Sequence, residues 1–167
     1  MGLKRNNPFG KILLEGDFVK LATGWKADGD KVVFTNGVFD LLHPGHVLYL
    51  NEAKSQGTRL VVAVNSDRSV KALNKGPGRP YFGQQDRALM VSAIRCVDAV
   101  TIFDDDTPEQ LIARIVPDVL VKGGDYRVEE IVGYRTVIEA GGVVKSLNFV
   151  EGYSSTHLEN LIRGNDQ

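Results

Sequence analysis

Two histidines three residues apart, His43 and His46, flank Pro44 and Gly45 near the end of the run NGVFDLLHPGH, residues 36–46. Proline suits the first position of a helix, where its missing N–H has no intrahelical partner. The run therefore reads as the passage from a strand into a helix, and across that junction the two imidazoles point to one side. Gly45 carries no side chain, so an anion can approach the helix start, where unpaired N–H groups and the macrodipole favour negative charge. The chemistry this implies is a polyphosphate cradle. A capped helix with two surface histidines satisfies the same spacing, and metal ligation is a third reading, although no further His, Cys or placed carboxylate completes a zinc set.

Three further clusters bear on that chemistry. Gly152-Tyr153-Ser154-Ser155-Thr156-His157 precedes a final helix and offers hydroxyls and N–H groups to an anion, while Thr156 and Glu159 also fit a capping box. Val121-Lys122-Gly123-Gly124-Asp125 follows a strand and places a cation beside a turn. Lys75, Arg79 and Arg87 lie in and after a basic loop, where cations would hold a second phosphorylated substrate near the first and lessen the repulsion between them. Asp104-Asp105-Asp106 reads as a solvated acidic turn leading into Thr107-Pro108, Trp25 and Cys96 as packing residues, and His157 as exposed. Neither G-x-x-x-x-G-K-[ST] nor G-x-G-x-x-G occurs, which argues against P-loop kinases and dinucleotide dehydrogenases.

Elements of a particular kind must position these clusters. Apolar, β-branched runs predict strands at 31–35, 59–64, 99–103, 118–121 and 142–147, and the segments between predict helices at 45–56, 84–94, 108–116 and 129–140. Thr107, Pro108 and Gln110 fit a cap, a first-turn proline and a capping-box partner. Strand alternating with helix implies a doubly wound, five-stranded parallel α/β sheet with helices on both faces. Ligands of such sheets gather at the carboxyl ends of strands, where the clusters here all fall, Asn65 to Asp67 among them. Residues 1–30 read as a helical extension with an amphipathic stretch at 12–21, and residues 31–163 as the catalytic core of a single domain. Residues 71–85 read as a loop.

The 167 residues carry Lys+Arg 20 against Asp+Glu 21, a formal net charge of -1, with 43% hydrophobic content. That is enough for one well-formed core and gives no basic field for long nucleic acids. One cysteine forms no internal disulfide, and no apolar run is long enough to cross a bilayer, so the expectation is a cytoplasmic protein with neither nucleic-acid nor membrane partners.

The halves Gly37-Val38-Phe39-Asp40 and His43-Pro44-Gly45-His46 resemble the signature of the cytidylyltransferase-like nucleotidyltransferases, a Rossmann-like family whose G-x-F-D and H-x-G-H share this turn. The resemblance implies that His43 and His46 contact the triphosphate and stabilise the transition state, with Lys122 and Arg87 as further catalytic cations. It implies nucleotide contacts at Asn36, Gly37, Val38, Phe39 and Gly45 on one side. Gly123, Asp125, Ser154, Ser155 and Thr156 would make them on the other. Substrate contacts are expected from Asp40, Asn65, Asp67, Lys75 and Arg79, with Asp40 also bracing its loop. The run GYSST matches the family's G-x-S-T-T pattern with Ser155 for the first threonine.

The stretches VVFTNGVFDLLHPGHVLYL, LVVAVNSD, GRP, TPEQLIARIVPDVLVKGGDY and GG...LNFVEGYSST are further similar to the sugar-phosphate adenylyltransferase domains of bacterial ADP-heptose synthesis. This implies ATP with Mg2+ and D-glycero-β-D-manno-heptose 1-phosphate as reactants, ADP-heptose and pyrophosphate as products, a stand-alone enzyme, and a homodimer or higher homo-oligomer. Glycerol-phosphate enzymes read R-T-E-G before the last motif, where this chain has Phe149-Val150-Glu151-Gly152. The missing arginine argues against a glycerol-phosphate substrate. Two other classes remain open from the residues: a non-catalytic nucleotide sensor, and a triphosphate hydrolase using the same histidines.

Overall fold

The structure is a computed structural model, described here for residues 7–73, 78–148 and 152–164. Its elements run β1 (Ile12–Leu13), α1 (Glu15–Ala27), β2 (Val32–Gly37), α2 (Pro44–Lys54), β3 (Arg59–Asn65), α3 (Asp67–Ala72), α4 (Gln84–Ser92), β4 (Ala99–Phe103), α5 (Glu109–Ile115), β5 (Val119–Gly123), a single 3₁₀ turn (Val128–Glu130), α6 (Tyr134–Glu139), β6 (Val143–Leu147) and α7 (Ser155–Arg163). The strands form one parallel sheet in the order β1-β4-β3-β2-β5-β6.

The continuous apolar runs are explained by burial on both faces, because alternate side chains of a strand point to opposite sides. Val33, Leu60, Val62 and Val64 face one way and pack with Leu50 and Ala53 of α2 and Ala88 and Val91 of α4. Val32, Phe34, Val61 and Ala63 face the other and pack with Phe18 and Ala22 of α1 and Leu111, Ile112 and Ile115 of α5. Full burial of each such aliphatic side chain contributes about 1.5–3 kcal/mol.

The sheet has six strands rather than the five expected. The sixth is β1, in the stretch read as a helical extension. Asn7 holds it extended: its side chain donates to the Ile12 carbonyl at 2.8 Å and accepts from the Ile12 N–H at 2.9 Å. The Thr101 hydroxyl donates to the Leu13 carbonyl at 3.0 Å, fixing β1 on the edge of β4. The amphipathic helix therefore begins only at Glu15.

Three other expectations are corrected. The helix expected at 129–140 is split by Gly133, which has φ 89° and passes over Ile112, where a methyl group would meet side-chain carbons at 2.8 Å. Residues 67–72, partly assigned to a loop, form α3, capped by Ser66, whose hydroxyl accepts from the Ser69 N–H at 3.0 Å. Helix α5 takes no side-chain cap from Thr107 because Pro108 itself occupies the cap position. The alternation of Asp104, Asp105 and Asp106 into that helix is braced instead by Ser66 and Arg68, which both donate to Asp104.

Strand order reverses between β2 and β5. There the ladder pairs Val33 with Val119 and Phe34 with Leu120, and the carboxyl ends beyond them part. That divergence opens the crevice expected at a topological switch point.

Candidate active site

A cleft of about 850 Å³ occupies the crevice. The carboxyl end of β2, the start of α2, the end of β5 and the start of α7 form its walls.

His43 is the residue before α2, in extended conformation, and Pro44 opens the helix as expected. The turn brings the two imidazoles together with ring centroids 3.9 Å apart and planes tilted by 33°. The His43 N–H donates to Nδ1 of His46 at 3.4 Å, and the His46 N–H donates to the His43 carbonyl at 2.9 Å. Phe39 lies beside His46, centroids 5.4 Å apart, and is buried. Its φ of 51° is left-handed, a conformation that L side chains avoid and that surrounding contacts must hold. Nδ1 of His43 is buried with no hydrogen-bond partner among the described residues. Burial pushes the His43 pKa below its ordinary value of 6.5, favouring the neutral ring.

The loop under the histidines is held by Asp40 and Arg87, expected from the sequence to contact substrate and to serve as a catalytic cation. Asp40 is 2% exposed; its carboxylate accepts the N–H of Tyr81 at 2.8 Å, that of Phe82 at 3.0 Å and Nη1 of Arg79 at 3.2 Å. The bracing role expected for Asp40 is the one its geometry supports. Arg87, expected as a catalytic cation, is 0% exposed and does not line the cleft. Its guanidinium donates to the carbonyls of Val38 at 2.6 Å, Asn65 at 2.7 Å and Phe82 at 3.0 Å, and to Asp67 Oδ1 at 2.8 Å. With these acceptors filled it is a knot tying three loops, out of reach of a ligand. Asn65 and Asp67, expected to contact substrate, lie beside it away from the cleft. Asn65 is buried against the Ser69 hydroxyl at 2.9 Å, Asp67 is engaged by Arg87, and neither lines the cleft.

On the far wall, Nζ of Lys122 reaches the Asn36 carbonyl and Oδ1, each at 3.4 Å, spanning the parted ends of β5 and β2. Gly123 lines the cleft, whereas Asp125 is exposed and outside it. Ser154, Ser155 and Thr156, at the start of α7, also line the cleft. Ser154, rather than Thr156, caps that helix, accepting the His157 N–H at 3.0 Å; Thr156 lies within the first turn. The Ser155 hydroxyl donates to the Leu41 carbonyl at 3.5 Å, which brings the start of α7 against the histidine loop. Arg79 also lines the cleft, while Lys75 lies outside the described residues.

The cleft wall also includes Tyr49, Tyr126, Tyr153 and His157. Tyr49, which nothing in the sequence singles out, places its hydroxyl 2.6 Å from the Thr35 hydroxyl and donates it to the Val121 carbonyl at 3.4 Å, filling the gap between the parted strands. Burial raises its pKa far above the ordinary tyrosine value, so it stays a neutral phenol. Tyr153 packs over Gly45: a methyl there would come within 2.9 Å of the Tyr153 Cβ and 3.0 Å of the His43 ring. Gly45 is thus needed for the meeting of two walls as well as for access to the helix end.

Asp40 is the one carboxylate among the described residues of the cleft wall, and its oxygens already accept several donors. No group of three or more His, Cys, Asp or Glu is arranged to hold a metal among the described residues. The donor set suits anionic oxygen, so a divalent cation fits this cleft as the companion of a bound polyphosphate rather than in a protein cage. No helix among the described residues is long and apolar enough to cross a membrane.

Comparison with known proteins agrees with this geometry. A bifunctional protein HldE of Vibrio vulnificus strain YJ016 is 49% identical over 160 residues, covering 96% of this chain and 33% of that protein. That of Hydrogenovibrio crunogenus is 56% identical over 138 residues, covering 83% and 28%. The chain thus spans about a third of the length of these curated relatives. Among solved structures, a lipopolysaccharide core biosynthesis protein from Thermoplasma volcanium superposes with a TM-score of 0.61 at 28% identity, covering 75% of this chain and 100% of that one. A pantoate-beta-alanine ligase from Francisella tularensis, at 13% identity and a TM-score of 0.61 over 92% of this chain and 77% of its own, shares the Rossmann-like fold. The cytidylyltransferase-like family model matches residues 34–160, from the middle of β2 into α7, and this chain belongs to that family of nucleotidyltransferases.

Proposed function

We propose that this chain transfers AMP from MgATP to a sugar 1-phosphate, with D-glycero-β-D-manno-heptose 1-phosphate as the acceptor, giving ADP-heptose and pyrophosphate for the lipopolysaccharide inner core. One observation carries the reading: the paired imidazoles at the start of α2 and the hydroxyl-bearing start of α7 open onto the same cleft. Two helix starts facing one space favour a chain of phosphates over a single anion. The relatives called HldE and the solved protein of lipopolysaccharide core biosynthesis support the choice of pathway.

A sugar phosphate loses its second proton with a pKa of about 6, so near neutral pH it is already a nucleophile and needs no general base. Its oxygen attacks the α-phosphorus, the bond from that phosphorus to the bridging oxygen of the β-phosphate breaks, and pyrophosphate leaves with the electron pair. The chain's part is to hold the reactants in line and to stabilise the charge that builds on the transferred and departing groups. Imidazole N–H groups of His43 and His46, the Lys122 ammonium and the hydroxyls of Ser154, Ser155 and Thr156 are the donors available for it. Lys122 and Arg79 are the cations lining the cleft among the described residues, and Arg79 is already paired with Asp40 and Glu159. Mg2+, carried by the triphosphate, would neutralise part of its charge.

The test is pyrophosphate release from ATP and Mg2+ with a panel of sugar 1-phosphates. The heptose phosphate should release pyrophosphate in step with nucleotide-sugar formation, and His43→Ala or His46→Ala should lower turnover by about 10²–10³-fold with a smaller change in ATP affinity. ATP binding with no pyrophosphate from any acceptor would mark a sensor, and triphosphate breakdown independent of acceptor would mark a hydrolase.

A further inference from the structure

Helix α7 docks through a polar seam. Ser155 and Glu159 stand one turn apart and share a face of the helix. The first donates to the Leu41 carbonyl at 3.5 Å. The second accepts Nη2 of Arg79 at 2.6 Å on one oxygen and the Tyr81 hydroxyl at 2.6 Å on the other. Arg79, with its side chain 10% exposed, continues through Nη1 to Asp40 at 3.2 Å and lies over the Tyr81 ring at 4.9 Å. Asp40 is the same carboxylate that braces the histidine loop. A continuous path of charge-assisted bonds therefore runs from α7 through the 79–82 loop to the turn carrying His43.

Two features show what this path does. Leu161 and Ile162, further along α7, are 50% and 78% exposed, so burial of those side chains does not hold the helix in place. And Arg79 stands between two carboxylates, leaving the trio with net negative charge. Both terminal nitrogens of the guanidinium are engaged by those carboxylates, which makes Arg79 a clamp in this arrangement.

We propose that Glu159 is a positioning residue, which through Arg79 fixes the start of α7, and with it Ser154, Ser155 and Thr156, against the histidine loop so that both helix starts meet one ligand. The ligand part rests on the reading of the cleft as a MgATP site; the clamp itself does not. In the ligand-free full chain, Glu159→Ala should exchange the amide hydrogens of residues 155–163 at least tenfold faster, with those of β3 unchanged. Glu159→Gln, which keeps an acceptor for Tyr81 but loses the charge facing Arg79, should fall between. MgATP affinity by calorimetry should weaken about tenfold in Glu159→Ala, and adding Arg79→Ala to it should cause little further loss, since the two act as one unit.

Exchange within twofold of wild type in both Glu159 variants, additive losses in the double variant, or fast exchange with unchanged MgATP affinity would each overturn the proposal. A wild-type chain that fails to bind MgATP would overturn the proposed function, while the exchange of α7, which needs no nucleotide, would still decide whether the clamp exists.

Discussion

The rings of His43 and His46 lie with their centroids 3.9 Å apart. Two imidazolium charges at that separation repel by about 4 kcal/mol at an effective dielectric of about 20. Burial already disfavours the charged form of His43. Repulsion and burial thus both act against a charged His43, and on the proposed reading a bound polyphosphate would oppose them.

Binding of MgATP should therefore take up protons near neutral pH, because His43 is held neutral in the free chain and a nearby anion raises its pKa. Affinity should rise as pH falls from 8 toward 6 and weaken in the opposite direction. Calorimetry in buffers of different ionisation enthalpy measures this directly. An uptake that persists unchanged in His43→Gln would show that another group titrates.

Replacing Arg87 should act on stability before chemistry. Arg87→Met strands the carbonyls of Val38, Asn65 and Phe82 and leaves Asp67 unpaired, for a cost of about 3–5 kcal/mol in urea unfolding. Arg87→Lys keeps the charge but cannot span four acceptors, and should lie between. A variant as stable as wild type yet without turnover would return Arg87 to the chemistry.

Gly45→Ala separates access from fold. Alanine is favoured over glycine in a helix by about 1 kcal/mol, yet here its methyl would press on the His43 ring and Tyr153. Thermal stability should hold within about 1 kcal/mol while turnover falls on the order of tenfold, since small displacements of reacting groups are costly. Tyr153→Gly added to it, which removes the Cβ that the new methyl meets, should restore part of the rate. Loss of stability with full turnover would contradict the packing argument.

The histidine pair, the glycine between them and the three hydroxyl residues of α7 were legible in the sequence because their information is local. A proline, a glycine and two imidazoles within four positions dictate a strand-to-helix turn, and that turn points both rings one way wherever it sits. The strand runs were legible for a similar reason: unbroken β-branched stretches have few stable fates other than a strand covered on both sides.

Arg87, Arg79 and Tyr49 show the opposite case. An arginine after a basic loop looks the same in sequence whether it meets a phosphate or three carbonyls, and only the approach of Val38, Asn65 and Phe82 turned Arg87 inward. Glu159 and Asp40, separated by most of the chain, decided the role of Arg79. Tyr49 gave no sign in the sequence, because its partners Thr35 and Val121 come from strands that part only in the folded sheet.

By itself, then, the chain determined the five strands β2 to β6, most of the helices between them and the two helix starts equipped for anions, since these follow from neighbours in sequence and the periods of strand and helix. Which cations face the cleft and which are sealed beneath it was decided by tertiary structure alone. The physical reason is that a charged side chain takes its role from the acceptors within hydrogen-bond reach, and here most of those acceptors lie tens of residues away.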